Sequence, residues 1–211
     1  MTENSVVIYD LDGTLVPFNS FKRWLIFTTV SALFFLNLDY CWLVFSTTMR
    51  RMFGKNIDRI AFKQIIISFH EQKSHRKFVK WCNFRFAVYL KKKTKTALLE
   101  KNKELYLATA APDCYVKYYA ELMNCFKNYS ATHFLREPQE TGSGIMNENI
   151  GVNKLIAVSQ QLGEQISTAT LYTDHEDDIP LAEKVSRVFL VNASEKTKRA
   201  FSGLEIVKEF V

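Results

Sequence analysis

Two carboxylates separated by one residue, Asp10 and Asp12, follow the apolar run Val6-Val7-Ile8-Tyr9 and precede Gly13-Thr14. At that spacing one carboxylate can attack an electrophile while the other moves protons. Attack on a phosphate ester would give an aspartyl-phosphate, which divides a slow hydrolysis into two easier steps. A dianionic ester repels a bare carboxylate, so a divalent cation is needed to bring the two together. Hard oxygen donors suit Mg²⁺. A second acidic set, Asp174-His175-Glu176-Asp177-Asp178, follows another apolar run, Ala169-Thr170-Leu171-Tyr172-Thr173. Single acidic residues after strands are commonly caps or turn formers, so the weight rests on the combination.

The apolar runs read as buried strands: Val6–Tyr9, Leu105–Thr109, Ala169–Thr173 and Val188–Val191, with a further candidate at Ser130–Phe134. Helices are expected from near Pro112-Asp113 and over Asn153–Leu162, the latter stopped by Gly163. The stretch 136–150, with Gly142-Ser143-Gly144, reads as a turn or hairpin. Strands alternating with helices predict a parallel sheet covered on both faces, an α/β class. Sites in such sheets form beyond the carboxyl ends of the strands. Asp10, Thr109 and Asp174 each stand at such an end.

Residues 17–100 break the alternation and read as helical. They hold 16 Lys and Arg against four Asp and Glu, whereas the rest of the chain holds 12 against 18. A basic, Phe-rich insertion therefore interrupts an acidic chain. The run from Trp24 to Thr48 is long enough to span a bilayer. One crossing would separate Asp10 from Thr109, and no second long apolar run exists to return the chain. With Asp39 in its middle, the run fits a hairpin of two shorter helices, packed within the insertion or dipping into one leaflet. Lys22-Arg23 and Arg50-Arg51 flank it, as an anionic lipid surface would favour. The four cysteines lack C-x-x-C spacing, so neither a disulfide framework nor a zinc site is expected, and a reducing cytosol is the simplest compartment. No leader pattern opens the sequence, and no nucleic-acid-binding motif accompanies the basic residues.

The run D-L-D-G-T-L at 10–15 resembles motif one of the haloacid dehalogenase-like (HAD) superfamily. Thr109, Lys154 and the Asp174/Asp178 pair follow in the order of that superfamily's remaining motifs. The resemblance implies a Rossmann-like core with a central parallel sheet, formed by 1–16 and 101–211, and an inserted all-helical cap at 17–100. It also implies roles. Asp10 would be the nucleophile and Asp12 the general acid and base. Thr109 and Lys154 would bind the phosphoryl group. Asp10, the backbone carbonyl of Asp12, and Asp174 would hold Mg²⁺, with Asp178 as a direct or outer partner. Asp12 favours phosphate chemistry over dehalogenation. The chain is similar to the phosphoserine-phosphatase-related branch. It looks most like the phosphatidylglycerophosphatase C type, in its opening Phe18–Trp24, its apolar cap start, and D-x-x-x-D-x-P-L at 174–181. It departs by carrying Asn19 where Asp is common, and 15–23 has no Glu of the kind that binds phosphoserine. The expectation is a phosphomonoester hydrolase acting on a lipid-linked phosphate such as phosphatidylglycerophosphate, located in the cytoplasm and peripheral on the inner face of the membrane. The alternatives are a soluble phosphatase of a small sugar or amino-alcohol phosphate and a non-catalytic phosphate-binding regulator.

Overall fold

The structure, a computed structural model, describes residues 6–54, 57–70, 76–133, 148–204 and 207–210. Strand β1 (Val6–Tyr9) is buried along its whole length. It pairs in parallel with β2 (Glu104–Pro112) on one side and β4 (Thr170–Thr173) on the other. Strand β3 (Phe126–Thr132) extends the sheet beyond β2, and β5 (Arg187–Val191) and β6 (Val207–Phe210) extend it beyond β4. The order is β3-β2-β1-β4-β5-β6, with every pairing parallel.

Successive side chains of a strand point to opposite faces, and β1 shows the result. Val6 and Ile8 enter one apolar cluster with Val158 and Leu162 of α6 (Val152–Leu162), Leu181 and Ala182 of α7 (Ile179–Ala182), and Phe201 of α8 (Glu195–Phe201). Val7 and Tyr9 enter a second cluster on the other face, with Tyr115, Val116 and Tyr119 of α5 (Asp113–Met123). Both faces of the sheet are thus covered by helices, as expected of an α/β fold.

Between β1 and β2 the chain inserts four helices: α1 (Ser20–Phe34), α2 (Leu38–Phe53), α3 (Arg59–His70) and α4 (Arg76–Lys93). Their buried residues, including Trp24, Tyr40, Phe62, Ile66, Phe86 and Leu90, continue the Val7/Tyr9 cluster without interruption. Trp24 donates its indole N–H to Asn83 Oδ1 at 2.8 Å, which satisfies two polar groups inside that layer. The run from Trp24 to Thr48 is a helical hairpin. It turns at Leu36 (φ 56°), and Asn37 caps α2. Among the described residues, no helix is long and apolar enough to cross a membrane.

The sequence expectation for β3 began four residues late, because Phe126-Lys127-Asn128 is half-buried or exposed at an edge and carries no apolar signal. Strand β6 was not expected at all: Val207-Lys208-Glu209-Phe210 has two charges in four residues. Phe134 and most of the 136–150 turn lie outside the described residues.

An aromatic ladder ties the insertion to the sheet just below the strand ends. Tyr9, Tyr172 and Phe189 are in register on adjacent strands, with ring centroids 4.8 Å apart at each step. The Tyr9 hydroxyl donates to Leu98 O (2.9 Å) and accepts from Glu100 N (3.0 Å), while Tyr172 donates to Glu100 Oε1 (3.1 Å). Tyr9 is fully buried, so removing its hydroxyl orphans two backbone groups. Tyr9→Phe is expected to lower the unfolding free energy by about 1–3 kcal/mol, read as a lower urea midpoint at unchanged slope.

Candidate active site

The carboxyl ends of β1 and β4 deliver Asp10 and Asp174 to one cavity of about 380 Å³, whose walls also include Asp12, Lys154 and Asp178. The Asp10 backbone N–H bonds to Tyr172 O at 2.9 Å, which extends the ladder one residue past β1. Lys154 stands in the first turn of α6, which begins after Gly151 at φ 57°. Its ammonium lies 3.0 Å from Asp10 Oδ1 and 2.6 Å from Asp178 Oδ1. Thr173 donates to the second Asp178 oxygen at 2.7 Å. Lys154 and Asp178 are almost fully buried, and Asp10 nearly so.

Asp12 sits on the side of the cavity nearer the inserted helices. Its Oδ1 accepts the Ser20 backbone N–H at 2.9 Å, at the start of α1. The Ser20 hydroxyl shares a 2.9 Å hydrogen bond with the Tyr115 hydroxyl of α5. Between Asp12 and Thr14 the chain makes a left-handed turn at Gly13 (φ 77°), and a Cβ there would overlap the Asp174 carboxylate. Glycine is therefore required both by the backbone conformation and by the approach of β4. Asn192 donates to Gly13 O at 3.0 Å and fixes the turn from β5.

The electrostatics follow from burial. Burial raises the Asp10 pKa well above its ordinary value; Lys154 opposes this, and Asp178, Asp174 and Asp12 reinforce it. Burial likewise pushes Asp12 to about 6 against the Ser20 hydrogen bonds, and Asp174 to about 6 with Asp178 and Asp12 adding to the rise. Burial works against the Lys154 charge, but Asp10 and Asp178 outweigh it and hold its pKa above the ordinary value. One ammonium thus faces four carboxylates. All the donors are hard oxygens, and their surplus negative charge fits a divalent cation. Among the described residues, no three acidic, His or Cys side chains are gathered at ligating distance. The fit therefore rests on donor chemistry and charge.

Thr109 is placed differently from the other expected residues. It is buried and does not line the cavity; Ala110 and Ala111 do. Strand β2 runs on to Pro112 with a register shift after Ala108, and the Thr109 hydroxyl accepts the Ala111 N–H at 3.1 Å. Thr109 shapes the wall from behind. Asn149, which the sequence did not single out, holds the same region. Its amide donates to Thr109 O (2.9 Å) and Ser130 Oγ (3.2 Å), and its backbone N–H bonds to Thr132 Oγ1 (3.0 Å). Arg59, Lys63, Phe18 and Phe21 of the insertion also line the cavity.

A protein-family model for haloacid dehalogenase-like hydrolases matches residues 7–183. The chain belongs to that family. No curated protein matches its sequence. Among solved structures, it is similar to a protein of unknown function from Bordetella pertussis Tohama I, at 16% identity and a TM-score of 0.68, covering 99% of each chain. A substrate-bound phosphoserine phosphatase aligns at 14% identity and a TM-score of 0.52, over 98% of this chain and 93% of the other. A HAD family hydrolase from Salmonella enterica serovar Typhi aligns at 12% identity and a TM-score of 0.52, over 93% of this chain but only 65% of the other. At these identities the likeness is one of fold.

The raised carboxylates carry a signed consequence. In the folded state Asp12 and Asp174 hold protons to about pH 6, against an ordinary value of 3.8. The folded form therefore binds more protons than the unfolded chain between those values, and stability falls as pH rises through about 6. Metal-free protein is expected to melt at a lower temperature at pH 7.5 than at pH 5. Mg²⁺ is expected to raise the melting temperature at pH 7.5, and Asp174→Asn to flatten the pH dependence. Calorimetric scans at the two pH values check all three.

Proposed function

We propose that the chain is a Mg²⁺-dependent phosphomonoester hydrolase that works through an aspartyl-phosphate on Asp10. The observation that carries this reading is the Asp10 carboxylate held 3.0 Å from a buried Lys154 at the floor of a cavity that also presents Asp12. Asp10 attacks phosphorus, and the ester oxygen leaves with the proton of Asp12. The Asp12 carboxylate then takes a proton from water, whose oxygen attacks the phosphoryl group and frees Asp10. The raised Asp12 pKa suits a group that must give and regain a proton near neutrality. Lys154 orients the phosphoryl oxygens and offsets their charge, and Thr109 supports the adjoining backbone. Asp10, the Asp12 carbonyl and Asp174 would hold Mg²⁺, with Asp178 as a direct or outer partner, and the ion would supply the remaining neutralisation when bound.

The substrate we favour is a lipid-linked phosphate of the phosphatidylglycerophosphate kind, reached from the cytoplasmic membrane surface with α1–α4 as the cap. The supporting observation is the outer side of the α1–α2 hairpin. Ile26, Val30 and Leu33 on α1, Phe34, Phe35 and Leu36 at the turn, and Leu38, Trp42 and Phe45 on α2 are all exposed, Phe34 to 82% and Trp42 to 68%. Helices with apolar residues on every side need an apolar partner. Exposed Arg50 and Arg51 follow in the last turn of α2, suited to anionic headgroups.

Phosphate release from phosphatidylglycerophosphate vesicles is expected to require Mg²⁺, to fall to background in Asp10→Asn, and to drop about 10²–10⁴-fold in Asp12→Asn. Release from soluble sugar or amino-alcohol phosphates alone would reject the lipid. Release unchanged in Asp10→Asn would reject the mechanism, and binding without turnover would favour a phosphate-binding regulator. In a flotation assay, wild type is expected to rise with anionic vesicles, and the double variant Trp42→Glu/Phe45→Glu to remain at the bottom. Wild type that does not float would remove the membrane role.

A further inference from the structure

Three tyrosines of the apolar cluster on the Val7/Tyr9 face each share a 2.9 Å hydrogen bond with a buried or half-buried Ser or Thr hydroxyl: Tyr40 with Thr28, Tyr119 with Thr94, and Tyr115 with Ser20. Buried hydroxyls are costly unless paired, and pairing alone accounts for the first two. The third differs in what its partner touches. The Ser20 backbone N–H donates to Asp12 Oδ1 at 2.9 Å, so one residue joins Tyr115 to a carboxylate of the cavity.

Each link in this chain is confined. Ser20 is the first residue of α1, and Asn19 caps that helix by accepting the Lys22 N–H, which leaves the Ser20 N–H for Asp12. Ser20 and Tyr115 are both fully buried. Tyr115 stands in the first turn of α5, and its ring packs against Phe86 of α4 and Trp24 of α1, at centroid distances of 5.1 and 5.8 Å. Burial, reinforced by the nearby charge of Asp12, keeps the Tyr115 hydroxyl well above its ordinary pKa, so it stays protonated. Neither Ser20 nor Tyr115 lines the cavity. Their route to the site is through Asp12.

We propose that Tyr115 is a positioning residue for the transfer of the phosphoryl group to Asp10. Through the Ser20 hydroxyl it fixes the start of α1 against α5, and the Ser20 N–H then fixes the direction in which the Asp12 carboxyl meets the ester oxygen. As the P–O bond breaks, that oxygen keeps the bonding electron pair and takes the Asp12 proton, while Asp10 bonds to phosphorus. The assignment rests on the hydrolase reading above and deepens it by naming a residue outside the cavity on which proton delivery depends. A misdirected Asp12 slows the loss of a strongly basic alkoxide, and matters little where a stable phenolate departs without a proton.

The test compares kcat/KM, with saturating Mg²⁺, for two alkyl esters, benzyl phosphate and phosphatidylglycerophosphate, and one aryl ester, 4-nitrophenyl phosphate. This parameter reports the transfer to Asp10 and not the later hydrolysis. Tyr115→Phe keeps the ring and deletes only the hydroxyl. It is expected to lower kcat/KM about tenfold for the alkyl esters and less than about twofold for the aryl ester. Ser20→Ala is expected to do the same, and the double variant to be no worse than either, because the two hydroxyls act as one link. Tyr119→Phe deletes the matching hydroxyl one helical turn along α5, where the partner is Thr94. It is expected to lower the melting temperature comparably and to leave the alkyl-to-aryl ratio unchanged. An equal loss on all esters in Tyr115→Phe, no loss at all, or the same change of ratio in Tyr119→Phe would overturn the positioning role and leave the hydrolase standing. Should Tyr115→Phe not fold, the ratio in Ser20→Ala decides. Absence of Asp10-dependent release from all three esters in wild type would instead reject the hydrolase reading, and the positioning role with it.

Discussion

The contact on which the site depends is the buried ammonium of Lys154 between Asp10 and Asp178. Its place in the first turn of α6 is unfavourable for the helix, because a cation there opposes the helix dipole. What holds it there is the carboxylates it neutralises. Removing either kind of partner would leave uncompensated charge in a nearly dry setting, which costs far more than an exposed ion pair yields. The strand ends, the Gly13 turn and the start of α6 are all arranged so that opposite charges meet with little water between them.

Three of the four carboxylates are also anchored to the surrounding elements. Asp178 accepts from Thr173, Asp12 from the start of α1, and Asp10 is carried directly on the aromatic ladder of Tyr9, Tyr172 and Phe189. The Tyr9 hydroxyl reaches the segment that leads from the insertion back into β2. The position of the first carboxylate and the return of the chain from α4 are thereby governed by the same residue.

The sheet and most of the acidic site were legible in the sequence, because their signals are local. Val6–Tyr9 followed by Asp10 is an apolar run with a charge at its end, and Asp174 and Asp178 follow the same kind of run. The features that were not legible depend on contacts made far along the chain. Thr109 looked like the last residue of its strand, but the strand bulges and continues, which turns its hydroxyl onto Ala111 and leaves the alanines facing the cavity. Asn149 has no local pattern; its importance comes from three partners on β2 and β3. Arg59 and Lys63 were not singled out, because two charges four residues apart ordinarily mark a solvated helix face. Only the packing of α3 beside the strand ends turns that face inward.

The shared apolar cluster limits how this enzyme could be re-engineered. Trp24, Phe86 and Leu90 of the insertion meet Tyr115 and Tyr119 of α5 and Tyr9 of the sheet in one continuous interior. Excising residues between β1 and β2, or exchanging them for the cap of a relative, would open that interior and expose the apolar side of α5. The four helices are therefore not an interchangeable module. New substrate preferences are more accessible by point changes on the inward side of α3 than by transplanting the layer that carries it.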